Sequence, residues 1–226
     1  MKVTEHQGTL AYLTIEPEDF DRDRPYPMVV MLHGYGANMG DLAQLCPVID
    51  RSAFVYALPN APVPLSPTGF AWADPPHASS EAVQEAEQAL TAFFVEVSDR
   101  YDVEPGRTVL GGFSQGGMMT LRLGLADPGA FLGLFALSAS APDPGVLRAR
   151  LPERRDQPIF MSHGALDAIV PIEQGRGTRE YLESEGYAPE YHEYEMGHQI
   201  TQAVVEDLTR WLYTVTRAAG AKGPQA

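Results

Sequence analysis

One cysteine stands in 226 residues, which rules out an internal disulfide and any cluster of thiolate metal ligands. That residue, Cys46, lies in "DLAQLCPVID", whose apolar spacing predicts an amphipathic helix with the thiol packed inside. Long apolar runs are also missing. No stretch approaches the ~18 residues that span a bilayer, and Glu5 and His6 fall where a signal peptide needs an apolar core. Positive charge is scarce, with 16 Lys and Arg against 30 Asp and Glu and a net charge of −14. That balance argues against nucleic-acid partners and against anionic membrane surfaces. The dinucleotide fingerprint G-x-G-x-x-G does not occur either. What remains is the expectation of a soluble, cytoplasmic globular chain with no sign of a metal or cofactor.

The apolar residues that are present fall into short runs separated by helical patterns. "PMVVMLHG" (27–34), "SAFVYALP" (52–59), "RTVLGGFS" (107–114), "FLGLFALSA" (131–139) and "QPIFMSHG" (157–164) read as buried strands. "GTLAYLTIEP" predicts an early antiparallel strand, and the more polar "PEYHEYEM" (189–196) suits a sheet edge. Between them, Val83, Ala86, Leu90, Phe93, Val97 and Tyr101 recur at helical spacing, with Ser79 or Ser80 as cap. Val204, Leu208, Leu212 and Val215 repeat the pattern in a last helix. Strands alternating with helices predict an α/β fold, a mostly parallel sheet flanked by helices. One domain should cover residues 1–217, and "AAGAKGPQA" (218–226) lacks apolar content and should fray. The proline-rich stretch 60–80 is a long connection in an otherwise economical chain, the kind that carries function.

The chemistry concentrates at "VLGGFSQGGMM". Gly112-Phe113-Ser114-Gln115-Gly116 is a G-x-S-x-G motif with an apolar strand before it and a helix after it. A serine on so tight a strand-to-helix turn is lifted clear of the sheet, beside the first free N–H groups of the helix, where negative charge is favoured. A serine hydroxyl needs a base, and the base needs an acid to orient it; on such a turn the chain order is Ser, then Asp or Glu, then His. His198, in "MGHQI" between the last strand and the last helix, is the candidate base. His192 lies inside the alternating edge strand and reads as solvent-facing. Asp167, in "HGALDAIVP", directly follows a strand, whereas Asp143 and Asp156 lie in the polar turns "APDPG" and "RRDQP". His163 and His33 read as structural histidines. Two amides should receive the tetrahedral oxyanion: that of Gln115, and one from "HGYGAN", where Tyr35 offers the best-placed N–H.

"LHGYGAN", "LPNAP", "AWAD", "GGFSQGGMM", "HGALDAIVP" and "MGHQI" follow one another in the order found in the phospholipase/carboxylesterase family, which includes acyl-protein thioesterases. The resemblance runs over about residues 8–216 and implies an α/β-hydrolase fold with the triad Ser114, Asp167 and His198. It also implies an oxyanion hole at Tyr35 and Gln115, and Trp72 beside an acyl pocket. Ala73 departs from the family, which usually has an aromatic residue there. Phe70 and Leu65 share the 60–80 loop with Trp72 and join it as candidate substrate contacts. Fewer than twenty residues separate the fourth buried strand from the fifth, which leaves no room for a lid domain. The expected activity is cofactor-free cleavage of a small-molecule or acyl ester, or of a thioester, through an acyl-enzyme. A peptidase or lactonase using the same triad, or a binding protein that has lost turnover, shares these features.

Overall fold

The computed structural model describes residues 1–73 and 80–221. Eight strands form one sheet in the order β1-β2-β4-β3-β7-β8-β9-β10. They are β1 (Lys2–Gln7), β2 (Ala11–Glu16), β3 (Met28–Leu32), β4 (Val55–Pro59), β7 (Thr108–Phe113), β8 (Phe131–Leu137), β9 (Ile159–Gly164) and β10 (Glu190–Tyr194). β1 and β2 pair antiparallel, and β2 joins β4 the same way. All later pairings are parallel. Among the described residues two further strands, β5 (Val63–Pro64) and β6 (Phe70–Ala71), form a small hairpin inside the 60–80 connection.

Every residue of β3, β4 and β9 is buried, as expected of parallel strands covered on both faces. Side-chain alternation splits β3 between two cores. Met28, Val30 and Leu32 face the helices α2 (Ser80–Tyr101), α3 (Gln115–Gly124), α4 (Pro144–Arg148) and α5 (Ile172–Ser184). Val29 and Met31 face α1 (Cys46–Ile49) and α6 (Gln202–Ala221). Ala86, Leu90, Phe93 and Val97 of α2 are buried, as are Val204, Leu208, Leu212 and Val215 of α6. The helix α3 is also tied to α2 by charge: Glu87 sits 3.1 Å from Arg122 and 2.5 Å from Arg150.

Several elements differ from the sequence reading. The stretch around Cys46 is a 3-10 turn, Ala43–Leu45, followed by the four-residue α1; Pro47 in its first turn keeps α-helical bonding from extending back through Ala43, and Asp50, in extended conformation, ends it. Cys46 is buried in it, and burial pushes its thiol pKa up. Asp143 belongs to no simple turn; its carboxylate accepts from Gly145 and Val146 N–H and caps α4. The helix α6 continues to Ala221, four residues beyond Arg217. His192 is half-buried on β10 with its ring 5.3 Å from that of Phe160, so it is not simply solvent-facing. Ser79, one of the two candidate caps, lies outside the described residues, and α2 begins at Ser80. Between β8 and β9 the only helix is α4, and no lid is inserted there.

Candidate active site

Ser114 occupies the turn between β7 and α3, at φ 54° and ψ −119°, a backbone conformation that L-residues rarely adopt. The surroundings hold it there. Its N–H donates to Leu137 O at 2.9 Å and its carbonyl accepts from Met118 N–H at 3.1 Å. The turn is possible because α3 starts against the end of β3: a Cβ on Gly116 would collide with the Leu32 carbonyl. The 34–37 turn that follows β3 closes over the same spot, since a Cβ on Gly34 would lie 3.4 Å from that of Ser114. Gln115 is the first residue of α3, so its N–H has no partner within the helix.

Asp167 and His198 come from the loops after β9 and β10, and those loops are joined by backbone bonds. Ala165 N–H donates to Tyr194 O at 2.8 Å and Leu166 N–H to Met196 O at 3.0 Å. Gly164 permits this approach, because a side chain there would strike the Met196 and Gly197 carbonyls. The result is a bond of 2.7 Å between His198 Nδ1 and Asp167 Oδ2. The other oxygen of Asp167 accepts from Ile169 and Val170 N–H, each at 2.9 Å. Burial opposes ionisation of Asp167, but the bonds from His198 and from these amides outweigh it, and the carboxyl titrates below its usual range. With Nδ1 donating to the carboxylate, Nε2 keeps a lone pair and can accept a proton. The ring of His198 packs 4.7 Å from that of Phe113, the residue before Ser114. His163 lies beneath the loop, its Nε2 bonded to Val170 O at 2.8 Å and 3.7 Å from Asp167 Oδ2.

The 60–80 connection departs from expectation at Trp72. Its side chain has no exposed surface, and its indole N–H donates to His33 O at 2.8 Å. The ring belongs to the core beneath the site, so Trp72 is corrected from a substrate contact to a buried structural residue. Phe70 is half-buried, and its backbone pairs with the 34–37 turn. Leu65 is exposed, as is Tyr35. Sequence reasoning missed Leu166 and Ile169, apolar side chains that are each 71% exposed on either side of the Asp167 loop. Apolar residues at i−1 and i+2 of a candidate acid were the available signal. Sequence reasoning also missed the Gln115 side chain, whose Oε1 accepts from Trp72 N–H at 2.9 Å and whose Nε2 donates to Ala73 O at 2.6 Å. Among the described residues no group of three or more His, Cys, Asp and Glu is arranged to hold a metal ion, and no helix is long and apolar enough to cross a membrane.

His33, on the turn after β3, is buried with Nδ1 bonded to Gly34 O at 2.8 Å and Nε2 to Ala61 N–H at 3.0 Å. An N–H can only be received by a bare nitrogen, so the ring is the neutral Nδ1–H tautomer. Burial lowers its pKa, against the raising effect of the Gly34 carbonyl. A histidine with a lowered folded pKa binds protons more readily in the unfolded chain, so acid favours unfolding. Denaturant midpoints should therefore be level above about pH 6.5 and decline below it. His33→Gln should remove part of that decline; an equal decline in the variant would exclude this origin.

The profile of the phospholipase/carboxylesterase family matches residues 18–216. The chain belongs to this family. Acyl-protein thioesterase 1 of Mycosarcoma maydis is 30% identical, over 86% of this chain and 93% of that protein. Acyl-protein thioesterase 1 of Kluyveromyces lactis is 26% identical, over 82% and 90%. Among solved structures, esterase PE8 superposes with a TM-score of 0.79 at 26% identity, covering 95% of this chain and all of that one. The Bacillus cereus carboxylesterase shares the fold, with a TM-score of 0.77 at 20% identity over 91% and 94%. Like other members of the phospholipase/carboxylesterase family, the protein is an esterase- or thioesterase-type hydrolase on an α/β-hydrolase fold.

Proposed function

We propose that this chain cleaves carboxylic esters or thioesters through an acyl-enzyme on Ser114. The observation that carries the reading is the 2.7 Å His198–Asp167 bond, beside a serine held at positive φ on the helix start. His198 Nε2 takes the hydroxyl proton as Ser114 Oγ attacks the acyl carbonyl, and the oxyanion rests on the Gln115 and Tyr35 amides. His198 then protonates the departing alcohol or thiol, and water releases the acyl group by the same path in reverse. Asp167, ionised and bonded to Nδ1, orients the imidazole and stabilises its cation. No cofactor enters this scheme. Leu65, Leu166 and Ile169, exposed and apolar on the loops that also carry site residues, support an acyl rather than a charged substituent on the substrate. A lone buried cysteine and no disulfide suit the reducing cytoplasm as the place of action, with small-molecule or acyl esters as substrates.

The test is hydrolysis of p-nitrophenyl esters from acetate to palmitate by the purified protein. Turnover with a maximum at one chain length is expected, with kcat/KM lowered at that length, not for acetate, by Ile169→Ser. A folded protein that leaves every ester intact would overturn the reading.

A further inference from the structure

Segment 70–73 touches both of the turns that carry the proposed oxyanion amides. On one side Gly36 N–H donates to Phe70 O at 2.8 Å, and Phe70 N–H donates to Ala37 O at 2.9 Å. These bonds fasten the segment to the turn containing Tyr35. On the other side the Gln115 carboxamide accepts from Trp72 N–H and donates to Ala73 O, at 2.9 and 2.6 Å. A third tie runs from the Trp72 indole N–H to the carbonyl of His33, at 2.8 Å.

A pair of oxyanion donors works only at a fixed separation, because each must stand about 2.7–3.1 Å from the oxygen as its charge develops. Sheet pairing cannot set that separation here. The ladder between β3 and β7 ends at Leu32 and Gly112, before either turn begins. Beyond that point, segment 70–73 bonds to both turns. We infer that this segment is a splint that sets the spacing of the Tyr35 and Gln115 amides, with the Gln115 side chain and Trp72 as its positioning residues. The inference rests on the serine-hydrolase reading given above, and it assigns Trp72 a role that its burial allows.

Chemistry explains why glutamine serves at this position. The clamp needs one acceptor and one donor in a plane, at the reach of a γ-carboxamide, to engage the N–H of one residue and the C=O of the next. Glutamate lacks the donor, and methionine lacks it too and offers only a weak sulfur acceptor. Loosening the splint leaves the ground-state ester bound as before and weakens contacts that strengthen only in the transition state. The loss should therefore fall on kcat and not on KM.

The experiment compares wild type with Gln115→Met, Gln115→Glu and Trp72→Phe on p-nitrophenyl acetate and butyrate. It also measures inhibition by an alkyl trifluoromethyl ketone. Ser114 Oγ adds to the ketone carbon, the hydroxyl proton passes to His198, and the carbonyl oxygen becomes the oxyanion, so the inhibition constant reports on the hole itself. In Gln115→Met, kcat should fall about tenfold or more while KM stays within about twofold. The inhibition constant should rise by the same factor as kcat falls, and Gln115→Glu should follow the same line. Trp72→Phe keeps an aromatic ring at this buried position and loses the bond to His33 together with part of the indole's packed volume. It should show a smaller loss of kcat and an unchanged chain-length preference. Should Gln115→Met fail to fold, Trp72→Phe decides. Unchanged kcat and inhibition in that variant overturn the splint, and so does a shift in KM or chain-length preference, which would make Trp72 an acyl contact. A wild type that neither turns over esters nor binds the ketone overturns the hydrolase reading itself.

Discussion

Replacing Ser114 with glycine will abolish ester turnover and at the same time stabilise the protein. The two effects have one cause. A serine at φ 54° and ψ −119° occupies a region that side chains disfavour, which costs on the order of 1–3 kcal/mol. Glycine adopts such angles freely, and its extra unfolded-state entropy takes back only about 1 kcal/mol. The suitable reference is Ser114→Ala, which removes the same hydroxyl and keeps the strain. Both variants should lose on the order of 10⁴-fold or more in kcat, the remainder reflecting binding and the oxyanion amides. In urea, at equal slope, Ser114→Gly should be about 1 kcal/mol more stable than Ser114→Ala. Equal midpoints would mean that the turn stores no strain, and retained turnover in both would remove Ser114 from the mechanism.

The parts of this fold that the sequence reveals are those with a local physical signature. β3, β4, β7, β8 and β9 are short apolar runs because both of their faces are covered, and that pattern survives in one dimension. The turn at Ser114 is legible for a similar reason: close contact between α3 and β3 forces Gly116 into the sequence. β1 escaped notice because Lys2, Glu5, His6 and Gln7 lie on a sheet edge where one neighbour suffices. Trp72 was misread because a tryptophan in a proline-rich loop has no local feature that tells a surface ring from a buried one. Its burial follows from bonds to His33 and Gln115, 39 and 43 residues away in the chain. The second role of Gln115 is equally nonlocal. Its side chain bonds to a loop that precedes it by about forty residues, and spacing of that kind has no period to detect.

Asp167→Asn should cost about 10⁴-fold in kcat at neutral pH, with the fold intact. The reason lies in the bonds at the far side of the carboxylate. Oδ1 accepts from two amides, Ile169 and Val170, and only an oxygen can take that place. An asparagine must therefore aim its NH₂ at His198. Nδ1 then has to accept instead of donate, and its proton moves to Nε2, the atom that should receive the proton of Ser114. The variant holds the imidazole in place in the wrong tautomer. Stability tells the same carboxylate apart by its pH range. Asp167 titrates below its unfolded value, so it adds stability above about pH 4 that is lost as the pH falls through its folded pKa. Removing its charge should flatten the limb below about pH 4 without moving the decline that begins near pH 6.5, which belongs to His33. Measurement of kcat/KM at neutral pH together with denaturant midpoints from pH 3 to 7 tests both halves. An asparagine variant retaining a tenth of the activity would mean that His198 takes its tautomer from elsewhere, with the nearby His163 loop as the first place to look.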